Sequence, residues 1–186
     1  MSKSKGNVIN PDFYIENFGA DTLRMYLMFL APFEQGGDFR DQAVMGVHRF
    51  LNRVFNLIIS HPELREGSHR DSSSSPMDIG ETQNDELQKL LHQTIKKVTN
   101  DIENLHYNTA ISALMILFKK LEKENPLSLR PWSESDFGRT CLLSLKLLAP
   151  FAPHLTEELW RETLGNKTSI HEESWPEWDE ALAGGA

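Results

Sequence analysis

Cysteine is nearly absent from the sequence, with only Cys141 among 186 residues. A single cysteine excludes an intrachain disulfide and a cysteine-based zinc site, and its place in the apolar run TCLLSLKLLAP predicts a small buried side chain. The histidines show neither H-x-x-x-H nor H-E-x-x-H spacing, so we predict no metal site. No apolar stretch approaches the roughly 20 residues of a membrane span, and no signal peptide is visible. We therefore predict a soluble, cytoplasmic chain without a membrane partner.

Positive charge is also scarce, since the formal net charge is −8. Taken alone, this acidity argues against nonspecific nucleic-acid binding. The acidic excess falls in residues 61–86 and 126–186, however, whereas residues 42–59 and 87–97 are locally basic. Hydrophobic residues make up 39% of the chain and charged residues 25%, which predicts one sizeable core with appendages.

Helical periodicity of apolar residues dominates the sequence. Proline, glycine and capping residues mark the ends of the predicted helices. The predicted helices are a short one from Pro11 to Phe18, one from Asp21 to Leu30, a third capped by Asp41, the longest from Leu87, one capped by Asn108, one started by Ser133 and Asp136 and running to Leu148, and one from Pro153 to Gly165. No β-α-β pattern or convincing internal repeat accompanies them. The sequence therefore predicts an all-α helical bundle.

Composition divides the chain into three parts. Residues 1–40 are predicted to form an opening loop with connecting helices, residues 41–165 the bundle, and residues 166–186 an extended tail that packs on the bundle. Within the bundle, residues 61–86 are polar and serine-rich, with little to bury. We predict that they form a flexible linker.

Two helices carry a polar stripe opposite their apolar side, at about 100° per residue. On the third helix no acid interrupts the stripe, which consists of Arg49, Asn52, Arg53 and Asn56. Guanidinium and amide groups in a row suit contacts to RNA phosphates and riboses. A similar stripe on the longest helix consists of Lys89, His92, Lys96 and Asn100. An ordinary solvated face is the alternative for both stripes.

Several motifs carry a resemblance to one enzyme family. The opening MSKSKGN resembles the K-M-S-K-S signature of class I aminoacyl-tRNA synthetases without its first lysine, and GADTLRMYLMFLAP at 19–32 resembles the helix that follows it. RFLNRVFNL at 49–57 resembles the first long helix of their anticodon-binding domain, and LLAPFAPHLTEELW at 147–160 a segment of the Leu, Ile and Val subgroup. Four motifs in the family's order extend over the whole chain.

Within that subgroup the leucyl family is the most similar, through MFLAPFEQGGDFRDQAVMGVHRFLNRV, DIENLHYNTAISALMILFKKL and SIHEESWPEWDE. The sequence departs from the leucyl pattern at Phe39, where tryptophan is usual, and in a serine-rich insertion at 66–80. The family's Rossmann half, editing domain and small C-terminal domain have no counterpart in these residues. The resemblance therefore implies a fragment, inactive alone and, we predict, monomeric.

The resemblance also implies a function for the whole enzyme. It would attach leucine to tRNA(Leu) through a leucyl-adenylate, using ATP with Mg bound mainly by the missing catalytic half. Lys3 matches the second motif lysine and is the predicted catalytic residue, while Ser2 and Ser4 would shape the ATP-binding loop with it. Lysines on a flexible loop can reach the phosphates as charge develops and then withdraw.

Three alternatives compete for the bundle. The leading one is the tRNA-binding domain of a leucyl enzyme, with Arg49, Asn52, Arg53, Asn56, Lys89 and Lys96 as tRNA-contacting residues. The same domain of an isoleucyl or valyl enzyme is the second. A stand-alone, RNA-free helical protein-interaction module is the third. Binding of tRNA by the chain discriminates the third from the other two.

Overall fold

The computed structural model describes residues 8–32, 34–35, 37–60, 81–124 and 136–184. This part of the chain contains no strand, which confirms the all-α prediction. Its helices are α1 Pro11–Phe18, α2 Ala20–Phe29, α3 Asp41–Ile59, α4 Glu81–Glu103, α5 Tyr107–Glu124, α6 Asp136–Leu148, α7 Pro153–Glu158 and α8 Glu180–Ala183. A π-helical turn, Leu159–Thr163, continues α7, and a 3₁₀ turn covers Ile170–Glu172.

The first helix has its predicted bounds, and the second begins and ends one residue before the predicted Asp21 and Leu30. Pro11 opens α1, and the side chain of Asn10 caps it by accepting a hydrogen bond from the backbone N–H of Asp12 at 3.1 Å. Gly19 joins α1 to α2 with a φ of 87°, in the left-handed region that a residue with a Cβ avoids. The two helices are therefore separated by one residue, and their relative direction is set by that glycine.

Three predicted boundaries are wrong. Asp41 is the first residue of α3 rather than its cap, and its carboxylate accepts a hydrogen bond from the Tyr14 hydroxyl at 2.7 Å. Asn108 lies inside the first turn of α5. The predicted linker 61–86 extends too far, because α4 already begins at Glu81. Acidic residues are stabilised at a helix N-terminus, which favours the early start; residues 61–80 lie outside the described part.

Buried side chains from α2 through to the 3₁₀ turn form one continuous hydrophobic core. Its centre is aromatic and aliphatic, with the rings of Phe50 and Phe118 in a T-shaped contact at 5.8 Å between centroids. Cys141 is fully buried, as predicted, and burial raises the pKa of its thiol far above the usual range. This thiol is therefore a packing group and not a nucleophile.

The segment after the bundle runs along α4. The indole N–H of Trp175 donates to the Thr99 hydroxyl at 2.8 Å, and the backbone N–H of Asp179 donates to Nδ1 of His92 at 2.9 Å. The Asp179 side chain then caps α8 by accepting from the N–H of Ala181. Residues 166–184 are thus extended only in part, because a 3₁₀ turn and α8 interrupt them.

Candidate tRNA-binding surface

The polar stripe of α3 faces solvent. Arg49, Asn52, Arg53 and Asn56 are all exposed, and the residues on the other side are buried: Val44, Val47, Leu51, Val54 and Ile58. The sequence places the stripe correctly because apolar residues at helical spacing bury one side of an amphipathic helix. The structure thus brings the four side chains together on one exposed face of a rigid, 19-residue helix.

One member of this α3 stripe has an acidic neighbour. Nε of Arg53 lies 3.0 Å from Oε1 of Glu122, on α5. The Arg53 side chain is 55% exposed and that of Glu122 29%, so the pair lies at the surface and is screened by salt. Within the described part of the chain, Arg49 forms no ion pair. Arg53 therefore has a carboxylate partner in Glu122, whereas Arg49 has none among the described residues.

The stripe of α4 is in a different state, because the C-terminal segment covers part of it. Nζ of Lys96 lies 2.7 Å from Oε2 of Glu180, and His92 accepts the hydrogen bond from Asp179. Since a backbone N–H can only donate, Nδ1 of His92 must be the unprotonated ring nitrogen. Lys89 is exposed and forms no ion pair with another described residue. The structure therefore leaves Lys89 accessible and gives Lys96 an internal partner.

The contact between Lys96 and Glu180 favours the ionised form of the Glu180 carboxyl. The hydrogen bond from Lys96, and secondly that from the indole N–H of Trp178, lower the pKa of Glu180. The carboxylate is therefore ionised at neutral pH and neutralises the Lys96 ammonium. The Lys96 ammonium therefore already has an anionic acceptor in Glu180.

The lysines of α5 are not among the tRNA-contacting residues predicted from sequence. Lys119 and Lys123 are exposed and have no ion pair within the described residues, whereas Lys120 bonds both Glu86 and Glu124 at 3.0 and 2.7 Å. The signal for them is the run KKLEKE, in which alternating charges look like an ordinary solvated face. Only the fold separates the paired lysine from the unpaired ones.

The predicted loop residues Ser2, Lys3 and Ser4 lie outside the described residues. Their chain continues into α1 and α2. Two side chains of α2, Asp21 and Arg24, bond the start of α7 and the turn before it, and neither is among the residues predicted from sequence. Their only sequence signal is the stretch GADTLR, which carries no indication of a partner more than 120 residues away.

A cleft lined mainly by acidic residues and histidines lies beside α7. It has a volume of about 450 Å³ and is lined by Pro153, His154, Glu157, Glu158, Arg161, Glu162 and His171. Glu157 accepts hydrogen bonds from the Ser169 hydroxyl and the Ile170 N–H, at 2.9 and 3.0 Å; together these lower its pKa although burial, the largest single influence, raises it. No group of His, Cys, Asp and Glu in the described ranges is arranged to hold a metal ion.

None of the helices that the structure describes is long and apolar enough to cross a membrane.

Two family models match the chain. Residues 84–184, more than half of it, match the anticodon-binding domain of tRNA ligase. The chain belongs to this family. Residues 1–58 match the class I tRNA synthetases of the type designated M. The two matches follow one another in the order that the resemblance implies, with residues 1–58 before residues 84–184.

Curated relatives of this tRNA ligase segment are leucine–tRNA ligases. One from Dehalococcoides mccartyi is 43% identical over 183 residues, which cover 98% of this chain and 21% of the relative. One from Geotalea daltonii is 41% identical over 184 residues, covering 98% and 22%. The chain thus spans about a fifth of the length of these relatives, and the resemblance to the leucyl family is confirmed.

A solved structure is similar over nearly the whole chain. It is the ternary complex of Agrobacterium radiobacter K84 agnB2 LeuRS with tRNA and LeuAMS. It is 32% identical, has a TM-score of 0.80, and is matched over 99% of this chain and 23% of that one. The helical fold of this tRNA ligase segment is therefore that of a leucyl enzyme, while the roles of individual residues remain predictions.

Proposed function

We propose that this chain is the tRNA-binding helical part of a ligase that attaches leucine to tRNA(Leu), using ATP through a leucyl-adenylate. The exposed α3 stripe carries the proposal, because it is a row of donors on a domain similar throughout to a LeuRS solved with tRNA. We further propose that the whole protein acts in the cytoplasm as a monomer.

The chemistry of the α3 stripe fits an RNA backbone. Guanidinium groups bind phosphate oxygens through parallel, charge-assisted hydrogen bonds. Asn52 and Asn56 offer both a donor and an acceptor, which suits the ribose 2′-hydroxyl. Arg49 and Arg53 stand one helical turn apart, so they can reach different phosphates along one strand. The overall acidity of the chain would repel RNA elsewhere and favour this face.

The α4 stripe is proposed as a secondary contact. Lys89 is accessible in the present arrangement, whereas Lys96 must first leave Glu180. Contact through Lys96 therefore requires a shift of the tail that covers it.

The loop supplies the link to catalysis. Lys3 would neutralise the charge that develops on the phosphates of ATP while the leucine carboxylate attacks, with Ser2 and Ser4 shaping the loop. ATP, with Mg, and leucine are bound mainly by parts of the ligase that this chain does not include.

The test is equilibrium binding of labelled tRNA(Leu) to the 186-residue chain, with tRNA(Ile) and tRNA(Val) as competitors. Binding that weakens steeply with salt and is strongest for tRNA(Leu) supports the proposal. Preference for another of these tRNAs favours the isoleucyl or valyl alternative. Absence of binding at low salt, by a folded chain, refutes the proposal and favours a protein-interaction module.

A further inference from the structure

Two side chains of α2 that lie one helical turn apart form hydrogen bonds with the start of α7 and the residues before it. Nε and Nη2 of Arg24 donate to the carbonyl of Pro150 at 3.2 and 3.0 Å. Oδ2 of Asp21 accepts from the backbone N–H of Leu155 at 2.7 Å, and its Oδ1 lies 2.7 Å from Nδ1 of His154. We name this group the α2 clasp: Asp21 and Arg24, with Pro150 in the turn and His154 and Leu155 in the first turn of α7.

The α2 clasp satisfies groups that the turn cannot satisfy itself. Ala152 occupies the N-cap position of α7 and has no side-chain acceptor, so the N–H of Leu155 needs an acceptor from elsewhere. The carbonyl of Pro150 lies just beyond the C-terminus of α6, where unpaired carbonyls give a negative potential. An acid on the α7 side and a guanidinium on the α6 side complement both ends.

Burial makes the Asp21 contact specific. The Asp21 side chain is 9% exposed, whereas that of His154 is 79% exposed. A buried polar group needs hydrogen bonds to compensate for lost hydration, and here a main-chain N–H provides one of them. Asp21 and Arg24 therefore both bond main-chain groups, and the exposed His154 lies on the outer side of the clasp.

The position of the α2 clasp gives it a role beyond stability. Asp21 and Arg24 lie within residues 1–58, which match the class I tRNA synthetases. Their partners lie within residues 84–184, which match the anticodon-binding domain. Only Gly19 separates α2 from α1, and α1 follows the N-terminal residues that include Lys3. The α2 clasp thus joins the helices that follow the Lys3 motif directly to the α6–α7 part of the bundle.

We propose that Asp21 and Arg24 are positioning residues that fix the α6–α7 part of the bundle against α2, so that tRNA held by the bundle is aligned for transfer of leucine. This inference rests on the proposed function. Formation of the adenylate needs no RNA, so the α2 clasp acts on the transfer step. A misplacement of about 1 Å can cost about 100-fold in rate, so losing the clasp lowers turnover more than binding.

The experiment uses the full-length ligase that carries this segment, with Asp21→Ala, Asp21→Asn, Arg24→Ala and Arg24→Lys. Asp12→Ala is the matched control, since Asp12 is an exposed acid in the first turn of α1. Four quantities are measured: Tm, tRNA(Leu) Kd, leucine-dependent ATP–pyrophosphate exchange, and kcat for aminoacylation.

We expect kcat for aminoacylation to fall about tenfold or more in Asp21→Ala and Arg24→Ala, while exchange and Kd change less than about twofold. Asp21→Asn keeps an oxygen that can accept from Leu155, and Arg24→Lys keeps one donor, so both variants should retain intermediate turnover. If the alanine variants fail to fold, these two milder variants still test the positioning role through their kcat for aminoacylation. The control should behave as the wild type.

Unchanged kcat per folded enzyme, with only Tm lowered, would overturn the positioning role. An equal loss in exchange would also overturn it, because the defect would then lie in activation. Failure of the proposed function is distinguishable, since the wild type itself would then show neither tRNA(Leu) binding nor leucine-dependent exchange.

Discussion

Replacing both arginines of the α3 stripe should weaken tRNA binding without unfolding the protein. Arg49 and Arg53 project from the exposed side of α3, and exposed charges contribute about 0–1 kcal/mol each to stability. The ion pair between Arg53 and Glu122 is itself largely exposed, so its loss belongs at the low end of that range. Arg49→Ala with Arg53→Ala should therefore lower the free energy of unfolding by less than about 2 kcal/mol.

The expected effect on RNA binding is larger and depends on salt. If each arginine contacts one phosphate, each loss should flatten the slope of log K against log salt by about 1, so the double variant should lose about 2. In the full-length ligase the KM for tRNA should rise while leucine activation stays unchanged. Fluorescence titration at several KCl concentrations measures the slope, and circular dichroism measures the melting.

The Arg53 ion pair with Glu122 provides a variant in the opposite direction. Glu122→Gln removes the competing carboxylate, frees Arg53 and should tighten tRNA binding. For the Arg49/Arg53 double variant, the matched control is Arg139→Ala with Lys167→Ala, since both control residues are exposed, lie off α3 and remove the same amount of positive charge. Unchanged affinity and slope in a folded Arg49/Arg53 double variant would refute the reasoning. A large fall in Tm would show that the two sides of α3 were assigned backwards.

Further predictions concern the loop, the core and the tail. Lys3→Ala in the full-length ligase should lower pyrophosphate exchange by about 10²-fold or more, with a smaller effect on ATP binding. Leu114→Ala, at a fully buried site, should cost about 2–5 kcal/mol in urea unfolding. The folded-state pKa of Glu180 is depressed, so its contribution to tail docking is present above the usual glutamate pKa and is lost as pH falls through the lower folded value. Limited proteolysis at decreasing pH should detect release of the tail, and Lys96→Met should remove that step.

Local signals in the sequence were sufficient for most helix positions. Pro11 and Gly19 fix the ends of α1 because proline suits the first turn and glycine tolerates a φ of 87°. The buried and exposed sides of α3 follow from helical periodicity, which needs no knowledge of the partner helices. The sequence predicts a start of α4 at Leu87 because residues 81–86 lack apolar periodicity, and the helix nevertheless extends back to Glu81.

Contacts between distant residues could not be predicted in this way. Glu122 follows Arg53 by 69 positions and Glu180 follows Lys96 by 84, and neither acid has a local pattern that indicates its partner. Asp21 is an acidic residue in the first turn of α2, and this common position already explains its presence in the sequence without a distant partner. Its bond to Leu155 depends on a helix start without a side-chain cap, which becomes visible only when the two helices are placed together.

The two lysines of the α4 stripe provide a test of this difference between sequence and fold. By sequence, Lys89 and Lys96 are equivalent members of one face, two helical turns apart. In the structure, Lys96 is bonded to Glu180 at 2.7 Å, whereas Lys89 is exposed. A phosphate that approaches Lys96 must displace a carboxylate of similar charge, so little free energy is gained in the exchange.

Lys89→Ala should therefore weaken tRNA(Leu) binding more than Lys96→Ala. The order should reverse or vanish in Glu180→Gln, where the competitor for Lys96 has lost its charge. Both comparisons use the same titration at fixed salt, and neither variant should alter helix content, since both lysines lie outside the core. A larger loss in Lys96→Ala with Glu180 intact would mean that the tail leaves α4 when tRNA binds, and that α4 and its cover form a single RNA-responsive surface.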